Sequence, residues 1–245
     1  MTSMLMCILV GFVAQMIDGA LGMAYGITCT TFLLTFEVAP AVAVASVKIA
    51  EVFTTAASGW SHLQFGNVDR RLFLRLLVPG VLGGVVGAFV LSSLPGQKIK
   101  PLVALYLLGM GVMILVKAFR QRKTVTPAQD RVPLLGFAGG LLDALGGGGW
   151  GPIVTTNLIA GGREPRLAIG SVNLAEFFVT CAQAATFLTL LGLEHPRVIL
   201  GLIAGGLVAA PLAAFFCRKI PSKALMILVG LVVAALSLRT LLVAW

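Results

Sequence analysis

Apolar residues fill the chain in blocks of about twenty, the length a helix needs to cross a bilayer's hydrocarbon core, and short polar stretches separate the blocks. Six blocks read as full spans, at residues 41–60, 72–91, 101–119, 167–191, 198–216 and 225–242. Two further apolar stretches, 4–36 and 134–160, are broken in the middle. The sharper break lies in LLDALGGGGWGPIVTT, Leu141 to Thr156, where Gly146 to Gly149 follow Asp143 and precede Pro152. About nine apolar residues flank each side, and nine helical residues rise roughly 14 Å, half the core. Each flank therefore reaches the midplane without crossing. Broken backbone at that depth is expected to rest on protein or to line a water-filled cavity. The stretch reads as the tip of a re-entrant hairpin at a binding site.

The pattern occurs twice. A shift of 125 residues lays Gly11-Phe12 on Gly136-Phe137, Asp18 on Asp143, Gly22 on Gly147, Tyr25 on Trp150 and Gly26 on Gly151. It continues with Thr30-Thr31 on Thr155-Thr156, Pro40 on Pro165, Ser46-Val47 on Ser171-Val172 and Ala50-Glu51 on Ala175-Glu176. Further on the match drifts, and Gly83-Gly84 pairs with Gly205-Gly206. The expected organisation is a first membrane repeat at 1–119, a basic cytoplasmic linker at 120–132 and a second repeat at 133–245. Each repeat holds one broken hairpin and three spans. Gly83-x3-Gly87 and Gly201-x3-Gly205 offer small faces for close helix packing.

Charge placement decides whether the broken element returns to its side of entry. If it returns, thirteen Lys/Arg fall on one face and four (Lys98, Lys100, Arg197, Arg239) on the other; if it crosses, the split is ten to seven. The positive-inside rule favours return. Each half then crosses an odd number of times, so the two halves are expected to be inverted, with both termini outside the cytoplasm. Inverted repeats with broken midplane helices are a transporter architecture.

Composition agrees with a polytopic all-α membrane protein: 58% hydrophobic, 11% charged, mean hydropathy +1.02. The net charge of +9 is scattered over loops and reads as topology signal rather than a nucleic-acid surface. The opening MTSMLMCILVG lacks a signal peptide's basic n-region and cleavage site. Cys7, Cys29, Cys181 and Cys217 show no metal spacing, and no nucleophile–base set, nucleotide loop, metal site or cofactor is expected.

Four of the nine acidic residues lie inside apolar segments: Asp18, Asp143, Glu51 and Glu176. A mid-membrane charge is costly, so such residues face a cavity or a partner. Lys48 lies three residues before Glu51 and can pair with it, or can attract an anion; Asn173 takes its place before Glu176. Asp18 and Asp143 adjoin the tips, where they can bond glycine-loop amides or serve coupling. After each tip a half-helix begins, near Ile27 and at Pro152-Ile153, with its first amides expected to be free of helix partners. Two such ends suit a small anion, with Gly22, Gly147, Gly148 and Gly149 allowing close approach and Thr28, Thr30, Thr155 and Thr156 adding hydroxyls. Tyr25 and Trp150 would wall the site. The carbonyls of the same tips would suit a cation, which keeps a cation or metal permease as the alternative.

IDGALGMAYG and LLDALGGGGWGP, each followed by a proline loop (Ala39-Pro40, Glu164-Pro165) and a polar helix (ASVKIAEVFTT, GSVNLAEFFVT), resemble the sulfite exporter TauE/SafE family of membrane permeases. The likeness covers essentially the whole chain. Met23-Ala24-Tyr25 stands where the second half has Gly148-Gly149-Trp150, so the two hairpins are not equivalent in sequence. The resemblance implies a multi-pass inner-membrane exporter of sulfite or an organosulfonate such as sulfoacetate, not an enzyme. The expected partners are a small anion, a coupling proton or sodium ion and the bilayer.

Overall fold

The computed structural model describes residues 4–21, 23–119, 131–216 and 222–244. Every described element is a helix: α1 (Met4–Leu21), α2 (Tyr25–Thr35), α3 (Pro40–Gln64), α4 (Arg70–Ser93), α5 (Gly96–Phe119) and α6 (Val132–Gly146) come first. The half-helix α7 follows, a π-helical turn (Gly151–Thr155) continued as α-helix (Thr156–Ala160). The chain ends with α8 (Pro165–Leu191), α9 (Pro196–Phe216) and α10 (Ser222–Ala244). The two expected broken elements are α1–α2 and α6–α7, and each is followed by three long helices. Residues 120–130 of the expected linker lie outside the described residues, and Val132 already belongs to α6.

Helix starts are written in local chemistry. Proline occupies the first turn of α3, α6 and α8, where its missing N–H is no loss. Asp69 caps α4, its carboxylate accepting from Arg71 N at 2.9 Å and Leu72 N at 3.2 Å. Among the described residues, five helices have the length and apolar composition to cross a membrane: those over 40–64, 70–93, 98–119, 166–191 and 226–243.

Packing interleaves the two halves. Helix α1 packs on α9 and α6 on α4, while α3 packs on α8 and α5 on α10. Glycine lets backbones touch at these crossings, as small residues do between membrane helices. Gly201 meets Met4–Ile8 and Gly205 meets Ile8–Phe12, so α1 and α9 run parallel. Gly136 lies on Leu76 and Gly87 on Leu141 and Ala144, so α4 and α6 also run parallel. By contrast α3 and α8 run antiparallel: Gly59 lies on Leu174, while Ala45 and Ser46 share a crevice with Leu191 and Gly192. So do α5 and α10, with Gly111 on Ala234 and Gly230 on Leu115.

The contacts correct one detail of the repeat. A Cβ on Gly80 would strike the Trp150 ring and Val179, and one on Gly206 would meet Tyr25 and Thr54. Tyr25 and Thr54 are the 125-residue mates of Trp150 and Val179. Gly206 therefore corresponds to Gly80 rather than to Gly84. The offset stays near 125, and the apparent drift came from aligning glycine pairs that face different neighbours.

Candidate functional site

The second tip is built by glycine and closed by Asp143. Helix α6 stops at Gly146, and Gly147 turns the chain with φ 72°. No Cβ fits at three of the tip glycines: Gly146 lies on the Tyr106 ring, Gly147 on the Thr30 side chain and Gly148 on the backbone of Ile27. Asp143, in the last turn of α6, reaches over the gap, and its Oδ1 accepts from Gly149 N at 3.0 Å and Trp150 N at 3.3 Å. A carboxylate thus sits at the positive start of the returning half-helix. The tip carbonyls are also engaged, Gly147 by the Thr30 hydroxyl (3.1 Å) and Gly148 by the Tyr106 hydroxyl (2.8 Å). The wider π turn sends the Pro152 carbonyl to Lys117 Nζ at 2.8 Å and that of Ile153 to Asn157 at 2.7 Å.

The first tip repeats the device in weaker form. Asp18 Oδ1 accepts from Tyr25 N at 3.3 Å, and Ala24 holds the left-handed conformation, φ 96°, that a non-glycine residue rarely takes. Gly22 lies outside the described residues. The half-helices begin at Tyr25 and Gly151, slightly before the expected starts near Ile27 and at Pro152-Ile153, and the Tyr25, Gly149 and Trp150 amides there are bonded to the chain's own carboxylates.

Between the tips sits Lys48, on α3 and fully buried. Its Nζ donates to Glu51 Oε2 at 2.5 Å, one turn along the helix, and to Asp143 Oδ2 at 2.7 Å, 95 residues away. Gln183 on α8 donates to the same Asp143 oxygen at 3.0 Å. Asp143 therefore collects four donors from three places in the chain, the tip itself, α3 and α8. Thr54 and Thr55 hydroxyls tie to the Glu51 carbonyl at 3.1 and 2.7 Å. Burying such a triad gains little over apolar packing, but removing one member costs about 3–5 kcal/mol because it leaves an unpaired buried charge.

Glu176, half-buried on α8, lies within electrostatic reach of Asp18, Glu51, Asp143 and Lys48. Asn173 turns its amide back along its own helix to the Ile169 carbonyl at 3.0 Å. Tyr25 and Trp150 act as matched wedges, the Tyr25 hydroxyl on the Leu202 carbonyl (3.4 Å) and the Trp150 indole N–H on that of Val172 (3.2 Å). Thr28, Thr155 and Thr156 hydroxyls on the returning half-helices are buried without a partner among the described residues. The structure brings Lys48, Glu51 and Asp143 into contact and gathers Asp18 and Glu176 around them. Sequence reasoning missed Tyr106, Thr180 and Gln183. The last two were visible as polar residues four and seven places after Glu176, on one face of an apolar helix. Tyr106 carried no signal beyond being one of two tyrosines.

The two ends of the α3–α8 crossing differ. At one end Asp69 N donates to Ser171 Oγ at 2.8 Å, Arg163 pairs with Asp69 at 3.5 Å, and the Asn67 carbonyl abuts Gly170 with no room for a Cβ. At the other a cleft of about 500 Å³ opens between Phe36–Ala39 and Glu194–Val198. It continues, at Val42 and Glu194, into the crevice that Ser46 and Ile49 line. Among the described residues no cluster of His, Cys, Asp and Glu has the grouping to hold a metal ion.

Comparison with known proteins gives two findings. Residues 7–240 match the family described as sulfite exporter TauE/SafE. The chain is also 44% identical, over 96% of its length and 82% of the relative's, to the "Probable membrane transporter protein YtnM" of Bacillus subtilis (strain 168). No solved structure matches it significantly.

Proposed function

The chain belongs to the sulfite exporter TauE/SafE family and is a membrane transporter rather than an enzyme, and on that premise we propose that it carries a small anion, sulfite or an organosulfonate, out across the inner membrane by alternating access. The observation that carries the reading is Lys48, a fully buried ammonium at the junction of the second tip and α3. With no anion present, Asp143 and Glu51 neutralise it. An arriving anion takes the ammonium in exchange, and the released carboxylates are matched by a coupling cation. The site then carries the same charge in its loaded and empty forms, which lets both cross the low-dielectric midplane.

Inverted repeats are the second part of the proposal. The antiparallel pairs α3–α8 and α5–α10, each made of repeat mates, support it. So do the hairpins. The starts of α1 and α9 lie together, and the end of α2 shares a cleft with the start of α9, so α1 enters and α2 returns on one face. The close-packed end of the α3–α8 crossing, which we read as sealed, carries Arg70, Arg71, Arg75, Arg163 and Arg166 and is cytoplasmic by the positive-inside rule; the cleft and both termini then face outward. One sealed end and one cleft fit one state of an alternating cycle.

The test is flux in tight proteoliposomes, by solid-supported-membrane current for charged cycles and radiolabelled sulfite for electroneutral ones. Sulfite or sulfoacetate uptake that is lost in Lys48→Ala, with the variant still monodisperse and cooperative in unfolding, is the expected result. Flux of cations alone, unaffected by Lys48→Ala, would overturn it. A specific observation favours that second reading: four carboxylates surround one ammonium. In a cation permease cation flux would proceed with no transportable anion in the bath, whereas anion carriage with a coupling cation requires the anion.

A further inference from the structure

Glu176, Thr180 and Gln183 form one stripe of α8, at i, i+4 and i+7. Thr180 and Gln183 are fully buried. The Gln183 amide has only one possible orientation. Its Nε2 donates to the Gly140 carbonyl at 3.2 Å and to Asp143 Oδ2 at 3.0 Å, and both are acceptors, so a flipped amide would set oxygen against oxygen. Gln183 Oε1 therefore points elsewhere, and among the described residues it has no partner; neither has Thr180 Oγ1. Buried polar atoms are seldom left this way, and two on one stripe beside an unpaired carboxylate ask for a ligand.

The repeat shows what is missing. The offset of 125 lays the stripe on Lys48, Glu51, Thr55 and Ser58 of α3, with Asn173 on Lys48. In α3 the stripe is complete: the Lys48 ammonium neutralises Glu51, and the Thr55 hydroxyl is bonded to the Glu51 carbonyl. In α8 the cation is gone. Asn173 bonds its own helix, and Glu176 makes no ion pair among the described residues. The missing partner must be positive, and it must be able to sit among oxygens.

We propose that a sodium ion binds this stripe, held by the Glu176 carboxylate, the Thr180 hydroxyl and Gln183 Oε1, and supplies Glu176 with the positive charge that Lys48 supplies to Glu51 in the other repeat. A proton on Glu176 could satisfy one of these acceptors, whereas a sodium ion satisfies all three. The site needs one carboxylate and neutral oxygens, a hard-cation set unlike the nitrogen and sulfur clusters of transition metals. Its use rests on the transport reading, since a bound sodium ion supplies the charge that accompanies the anion. Its existence does not.

The experiment is thermal unfolding of the purified protein in detergent, in sodium chloride against choline chloride at matched ionic strength, with no sulfite or sulfonate present. Sodium is expected to raise Tm saturably, as a ligand of the folded state does. Thr180→Val should unfold in choline at or above the wild-type temperature, because it removes an unsatisfied hydroxyl. The same variant should bind sodium roughly tenfold more weakly, the effect of one ordinary contact. Glu176→Gln should abolish the increment. No sodium increment in the wild type, or an equal one in both variants, would overturn the site. So would a sodium-independent Tm whose pH dependence disappears in Glu176→Gln, which would give the stripe to a proton. Because no transported anion is present, failure here leaves the anion reading standing, and failure of anion flux leaves a positive sodium result standing.

Discussion

Asp143 takes hydrogen bonds from Gly149, Trp150, Lys48 and Gln183, while its repeat mate Asp18 takes one from Tyr25 among the described residues. The same substitution should therefore have unequal costs. Asp143→Asn leaves Lys48 with Glu51 alone in a fully buried place, at about 3 kcal/mol, the low end for breaking a buried ion pair. Asp18→Asn disturbs one amide bond, at about 1 kcal/mol. Unfolding of the two variants in detergent measures the difference, and equal losses would show that the tips are energetically alike. The sequence made both carboxylates conspicuous, because charge inside an apolar block is rare, and it offered Glu51 as a partner for Lys48 because three residues along a helix share a face. It could not offer Asp143 as the second partner. That contact spans 95 residues, and only the crossing of the second tip over α3 creates it. The carboxylate–amide bonds at the tips were legible, because an aspartate in the last turn before a glycine break can reach forward to the amides beyond it, as Asp143 and Asp18 do.

At the scale of elements, the breaks and spans were legible because membrane burial demands long apolar runs and tolerates glycine where backbones meet. Helix ends moved outward by a few residues, to Asp69 before α4 and the proline that opens α3, since caps rather than hydropathy set them. The pairing of glycines was not legible, because a glycine's role is fixed by what lies opposite. Gly140 lies against the backbone of Gly80 and Gly84, and Gly109 has nothing within 4 Å among the described residues. Gly140→Ala should separate α4 from α6 and cost about 1–3 kcal/mol, as overpacking does. Gly109→Ala, inside α5 and with open space, should stabilise by up to about 1 kcal/mol through helix propensity. Paired Tm measurements check both, and an unharmed Gly140→Ala would mean that the α4–α6 contact is looser than the backbone distances require.

On the whole-molecule scale, the proposed alternating access makes the repeat predictive, because each half then shows the conformation the other would adopt in the opposite state. The end read as sealed is held by Asp69 on Ser171 and by Asn67 against Gly170. Their mates at the offset of 125 are Glu194, Ser46, Gly192 and Ala45, and all four line the crevice below the cleft. The size relation is exchanged as well: a glycine on α8 receives an asparagine at the sealed end, and an alanine on α3 faces a glycine at the open one. If the halves trade conformations, the cleft closes by bringing Glu194 onto Ser46 while Asp69 leaves Ser171. A disulfide forms only when Cα atoms come within about 7 Å, so it reads this approach directly. In a background with Cys7, Cys29, Cys181 and Cys217 replaced, Ser46→Cys with Glu194→Cys should cross-link under oxidant, faster during sulfoacetate turnover, and should stop flux until a reductant is added. Asp69→Cys with Ser171→Cys should cross-link without substrate and stop flux from the opposite state. Transport that continues with the Ser46–Glu194 pair cross-linked would rule out closure at this end, because a permanently sealed cleft cannot belong to an alternating path through the α3–α8 crossing.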